Sequence, residues 1–117
     1  MQCRVNVPIS CWVLPFSQYV YIGLQYKTYY YITIDIDGFD PSIAPGTGTP
    51  SHGGFTYYEV MEVLQGVANK GDVVGIDLCE VAPDYDLSST TSILAAQVLL
   101  NLIGYVFHGR AARENQN

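Results

Sequence analysis

Positive charge is scarce in this sequence. Five Lys and Arg stand against eleven Asp and Glu, and no basic cluster occurs anywhere along the 117 residues. With a net charge of -6 the surface repels phosphates, which excludes nucleic acid as a partner. Charge of either sign is sparse, at 14% of residues against 49% hydrophobic, so the chain is too apolar for a disordered segment. Cys3, Cys11 and Cys79 form no CxxC and cannot all pair within one chain, which argues against a disulfide scaffold and for a reducing, cytoplasmic setting. Cys79 lies in an apolar run and reads as a small buried hydrophobe. There are only two histidines, His52 and His108, and they are far apart. In the first 25 residues, Pro8, Pro15, Ser17 and Gln18 interrupt every apolar patch. No run there approaches the ~18 residues that cross a bilayer, so neither a membrane partner nor a secretion signal is expected.

The length suits one domain. Residues 1–28 show no stable period and stay unassigned, as either an irregular edge strand or a leader; residues 29–117 are strongly patterned. Tyr29 to Asp37 is aromatic and β-branched, apolar at nearly every position, and predicts a central strand of a parallel sheet. Phe39 to Gly54 has no period and contains Pro41, Pro45 and Pro50; a stiff loop of this length is expected to be functional. Thr56 and Glu59 form a capping-box pattern ahead of Val60, Met61, Leu64 and Val67, and Lys70-Gly71 marks the helix end. Val73 to Val81 predicts a second buried strand. Ser88 to Thr91 offer starts for a second helix, Ile93 through Val106, with a wide buried face and His108 in its last turn as a dipole partner. Strand, helix, strand, helix is the order of an α/β fold with a parallel sheet.

Residues two apart in a strand point the same way, so Asp35 and Asp37 are expected on one face at the strand's carboxyl end. Glu80, ending the second strand, comes to the same rim if the strands are parallel. Open α/β sheets bind ligands just beyond these ends. Capping of turns explains a single strand-end Asp well enough. A pair in a buried apolar strand needs compensation, and three converging carboxylates suit a hard divalent cation, a cationic substrate, or both. An EF-hand is excluded by Phe39 and by the lack of a Glu at the required later position, while a DxD motif of the nucleotide-sugar transferase type, a weak signal by itself, stays open.

The run Thr33-Ile34-Asp35-Ile36-Asp37-Gly38-Phe39-Asp40-Pro41, then Ala44-Pro45-Gly46-Thr47-Gly48-Thr49-Pro50 and Gly53-Gly54, resembles the signature of the ureohydrolase family of arginases, agmatinases, guanidinobutyrases and formiminoglutamases. The likeness continues through Gly75-Ile76-Asp77-Leu78-Cys79-Glu80-Val81-Ala82-Pro83, and the Pro-Gly-Thr-Gly-Thr-Pro and Glu-Val-Ala-Pro stretches look most like agmatinase. The resemblance implies an arginase-like three-layer α/β/α fold, of which this chain holds a partial βαβα segment, the C-terminal part of a ureohydrolase domain. It implies two Mn2+ ions, with Asp35 bridging both and Asp37 binding one as the catalytic carboxylates, and Glu80 facing a small guanidino substrate that is hydrolysed to urea and an amine. Thr47, Thr49 and His52 are the accompanying candidates for hydrogen bonds around that centre, and the complete protein is expected to be a homo-oligomer.

The family also draws ligands from an upstream His and an Asp-x-His-x-Asp motif, and neither is in this sequence. The expectation is therefore a gene fragment, truncated product or misread open reading frame that keeps family identity without activity. The competing readings are a non-catalytic partner of a full-length ureohydrolase and a formiminoglutamase-like amidine hydrolase.

Overall fold

The computed structural model describes residues 20–22 and 29–115. Five principal elements follow in order: β1 (Val20–Ile22), β2 (Tyr29–Asp35), α1 (Tyr57–Lys70), β3 (Asp72–Cys79) and α2 (Thr90–Glu114). The sheet order is β1-β2-β3, with β1 antiparallel and β3 parallel to β2. The β2–α1–β3–α2 portion is thus the expected α/β segment.

Helix α1 begins and ends where its sequence signals stand. The Glu59 carboxylate accepts from the Thr56 N–H at 2.8 Å and from the Thr56 hydroxyl at 2.7 Å, and Gly71 closes the helix. Val60, Met61, Leu64, Val67 and Ala68 form its buried stripe. On α2 the buried stripe is Leu94, Ala95, Val98 and Leu102, and both stripes pack on Tyr30, Ile32 and Ile34 of β2. The core therefore lies on one side of the sheet.

Two expectations change here. β2 is covered on one face only: Tyr30, Ile32 and Ile34 are buried, while Tyr29 and Tyr31 are 52% and 56% exposed. Tyrosine supplied apolar bulk to the sequence pattern, yet its polar end suits a face left open to solvent. Cys79, at the end of β3, is likewise exposed rather than buried. On this open face the Thr33 hydroxyl donates to Asp77 at 2.6 Å. Tyr31 also hydrogen-bonds Asp77, and that bond, the Asp77 charge and burial together raise its phenol pKa.

α2 is also longer than its apolar pattern suggests. It runs on to Glu114 because Arg113 clasps the far end of the unit, donating to the Ala68 carbonyl and pairing with Asp72, each at 2.8 Å. His108 consequently lies inside the helix, exposed, and not in its last turn. By length and composition α2 could cross a bilayer, although Val98 and Leu102 are fully buried in the core. Its other side leaves Ile93, Leu100, Ile103 and Phe107 exposed.

Candidate active site at the carboxyl ends of the parallel strands

Parallel pairing sets Asp35 directly opposite Cys79, so Asp35, Asp37 and Glu80 follow at the same rim of the sheet. The route to Asp37 differs from strand alternation. β2 stops at Asp35, and Ile36–Gly38 winds into a 3-10 turn whose second amide, Asp37 N–H, donates to Asp35 Oδ1 at 3.0 Å. Asp35 thus caps the turn that carries Asp37, and Ile36 goes into the core. The two carboxylates are joined by a turn rather than by period-two geometry.

Asp37 is 4% exposed. Its Oδ1 accepts from the Thr47 hydroxyl and its Oδ2 from the Thr49 hydroxyl, so both threonines of the loop meet this one carboxylate. Thr47 Oγ1 also lies 3.0 Å from the Glu80 carbonyl, which shares its single proton. Asp37 has no ion-pair partner among the described residues, where the Arg113–Asp72 pair stands alone. A buried carboxylate met by neutral hydroxyls is hydrogen-bonded but not neutralised, and attracts a cation. Asp35 is half-buried; desolvation raises its pKa, the Asp37 amide opposes this, and the Asp37 charge adds to it. The Cys79 thiol is pushed up by desolvation, then by the charges of Asp35, Asp77, Glu80 and Asp37, a sign of how negative this rim is.

Glu80 is exposed and takes a left-handed backbone, φ 64°. That conformation costs an L-residue about 1–2 kcal/mol, and such strain gathers at functional positions. Glu80→Gly is therefore expected to be about 1 kcal/mol more stable than Glu80→Ala, because only alanine keeps the steric cost. Urea unfolding of the two variants measures the difference.

The loop reaches Asp37 because it is pinned at both ends. Asp40 accepts from Ser42 N–H at 2.9 Å and Gly53 N–H at 3.0 Å, and Phe55 pairs with Gly38 and Asp40 through backbone bonds of 2.8 and 3.0 Å. Gly54 passes so close that a β-carbon there would sit 2.6 Å from the Phe39 carbonyl carbon and 2.8 Å from the Gly38 oxygen. His52 is exposed, and its charge acts on Asp40. Among the described residues no group of three His, Cys, Asp or Glu side chains is placed to hold a metal ion.

Sequence reading passed over Asp86 and took Thr91 only as a helix-start candidate; both are buried. Asp86 accepts from Thr91 N–H at 3.1 Å and from the Ser92 N–H and hydroxyl at 2.9 Å each, capping α2 from outside the helix. The available signal was an Asp ahead of a Ser/Thr run that opens an apolar helix. Burial pushes the Asp86 pKa up, but the Ser92 and Thr91 donors outweigh it and hold it low; Ser42 and Gly53 lower Asp40, and Thr56 lowers Glu59. A depressed carboxylate stabilises the fold above its ordinary range, and that stability is lost as pH falls through the depressed value. Asp35, raised, acts the other way and loses its contribution as pH rises through its folded pKa. With three such groups against one, urea midpoints are expected to fall as pH drops below about 4, and less steeply in Asp86→Asn.

Comparison with known proteins converges on one group. A family model described as the arginase family matches residues 18–104. Guanidinobutyrase of Pseudomonas aeruginosa is 47% identical over 73 residues, covering 62% of this chain and 23% of that protein. Mitochondrial agmatinase of Gallus gallus is 49% identical over 74 residues, covering 62% and 21%. Among solved structures, proclavaminate amidino hydrolase from Streptomyces clavuligerus superposes with a TM-score of 0.63 at 40% identity, covering 68% of this chain and 26% of that one. Arginase from Bacillus subtilis gives 0.58 at 33% identity, covering 62% and 25%. The chain thus spans about a quarter or less of the length of the proteins it matches.

Proposed function

Since this chain belongs to the arginase family, we propose that it carries the carboxylate half of a ureohydrolase centre, in which the guanidino group of agmatine or a related compound is hydrolysed to urea and an amine. The observation that carries the reading is the buried Asp37 carboxylate, held by two hydroxyls and by no described cationic side chain, on the same rim as Glu80. A guanidinium is a delocalised cation and a poor electrophile. Glu80, exposed on its left-handed backbone, is the carboxylate able to meet it, holding the planar group by charge-assisted hydrogen bonds. Asp35 and Asp37 hold negative charge at the neighbouring position, and the two threonines keep Asp37 from turning away.

Carboxylate oxygens are donors of the kind Mn2+ accepts. These residues do not by themselves make up a binuclear manganese centre: no third His, Cys, Asp or Glu ligand joins Asp35 and Asp37 among the described residues. The chain alone is therefore read as inactive, with imidazole and further carboxylate donors needed from outside the segment. The same reading takes the complete protein as cytoplasmic and homo-oligomeric.

The test is urea release from agmatine, guanidinobutyrate and arginine with added Mn2+, beside Asp37→Ala, together with Mn2+ titration of the folded chain. Weak Mn2+ binding that Asp35→Asn and Asp37→Asn abolish, with no urea above the control, is the expected result. Urea above the control would overturn the half-site reading. Formamide as the product would transfer the protein to the formiminoglutamase class, and Mn2+ binding indifferent to both substitutions would remove Asp35 and Asp37 from the centre.

A further inference from the structure

The peptide unit of Gly46 is a crossing point for three segments. Its N–H donates to Thr91 Oγ1 at 2.8 Å, and its carbonyl accepts from Ala82 N–H at 2.9 Å. The first bond ties the loop to the opening turn of α2, and the second ties it to the chain just after Glu80. One residue further on, Thr47 bridges to Val81 and gives its hydroxyl to Asp37, with the Glu80 carbonyl 3.0 Å away. Asp86, in turn, fixes Thr91 by accepting its amide at 3.1 Å and braces the same turn through Ser92. Asp86, Thr91, Gly46 and Thr47 are all buried, so these bonds form away from competing water.

We propose that Asp86 and Thr91 are positioning residues, which set the spacing of Asp37 and Glu80 by clamping Gly46 to the first turn of α2. Neither touches Asp37 or carries out chemistry. A slip of the Gly46 peptide moves Thr47, and Thr47 is the residue that contacts both Asp37 and the Glu80 backbone. The start of α2 thereby becomes part of the site through the Thr91 hydroxyl. This deepens the ureohydrolase reading, on which only its consequence for catalysis rests; the clamp itself is tested without metal or substrate.

The experiment uses the chain with 15N amides and 13C-labelled threonine methyls. Thr91→Val keeps the shape of the side chain and removes the hydroxyl, and Thr91→Ser returns the hydroxyl. In Thr91→Val, exchange of the Gly46 amide is expected to accelerate by about tenfold or more, a local opening. The Thr47 and Thr49 methyl signals shift with it, and the α1 amides of Leu64 and Val67 hold their rates. Thr91→Ser brings the Gly46 rate back to within about twofold of the parent, since a satisfied amide is again protected. Should Thr91→Val fail to fold, Asp86→Asn is read in the same way, with smaller shifts expected at the same threonines. Unchanged Thr47 methyls beside a faster Gly46 amide would overturn the proposal, as would equal acceleration at Leu64 and Val67, or no return in Thr91→Ser. A parallel Mn2+ titration separates the two readings. Absence of binding in the parent chain strikes the ureohydrolase reading alone, whereas the methyl and amide signals judge the clamp.

Discussion

Gly46→Ala is expected to cost about 3 kcal/mol or more, near the upper end of what overpacking does to a buried site. A β-carbon at Gly46 would overlap the Asp86 Cβ and lie 2.8 Å from its Cγ and 2.9 Å from Thr91 Oγ1. None of these is the free end of a flexible side chain. Asp86 is held by Thr91 and Ser92, and Thr91 is fully buried. Relief requires either the loop to lift, which breaks the bonds to Thr91 and Ala82, or α2 to shift its first turn. Gly48, two residues on, has nothing within 4 Å of the corresponding position, and Gly48→Ala is expected to change stability by less than about 0.5 kcal/mol. Denaturant midpoints of the two variants, made side by side, check both values. Equal midpoints would mean that the loop is not seated against α2.

Phe39→Ala carries the other large effect, a loss of about 4 kcal/mol. Phe39 is 2% exposed and is the largest of the fully enclosed side chains. It directly follows the 3-10 turn bearing Asp37 and pairs with Phe55 across the loop. Truncation leaves a cavity under the site as well as a gap in the core, so the Asp37 turn loosens together with the fold. Phe39→Leu, which fills much of the volume, is expected to recover more than half of the loss. Thermal unfolding followed by circular dichroism measures both variants.

The sequence made much of this architecture legible, for reasons that can be traced to individual residues. Thr56 and Glu59 announced α1 because a capping box is local, and Gly71 ended the helix on the same scale. The βαβα order followed from the two apolar strand runs, and the shared rim of Asp35 and Glu80 followed from parallel pairing. The 3-10 turn at Ile36–Gly38 was hidden, since Ile36 between two aspartates continues the alternating pattern of a strand while its backbone has already left the sheet. The exposed face of β2 was hidden too: Tyr29 and Tyr31 count as apolar in a pattern and still face solvent. Asp86 and Thr91 matter to the loop only through contacts 45 residues apart in the case of Thr91 and Gly46, and no local pattern reports such a pairing.

The parallel pairing of β2 with β3 has a consequence in time. Thr33 and Asp77, joined across it, are 44 residues apart in the chain. Helix α1 can form from its own neighbours, whereas this contact must wait for a long loop to close, and that closure entropy precedes any reward from the sheet. Asp35 and Glu80 are therefore expected to meet only once that loop has closed, a step that slows folding without a local shortcut.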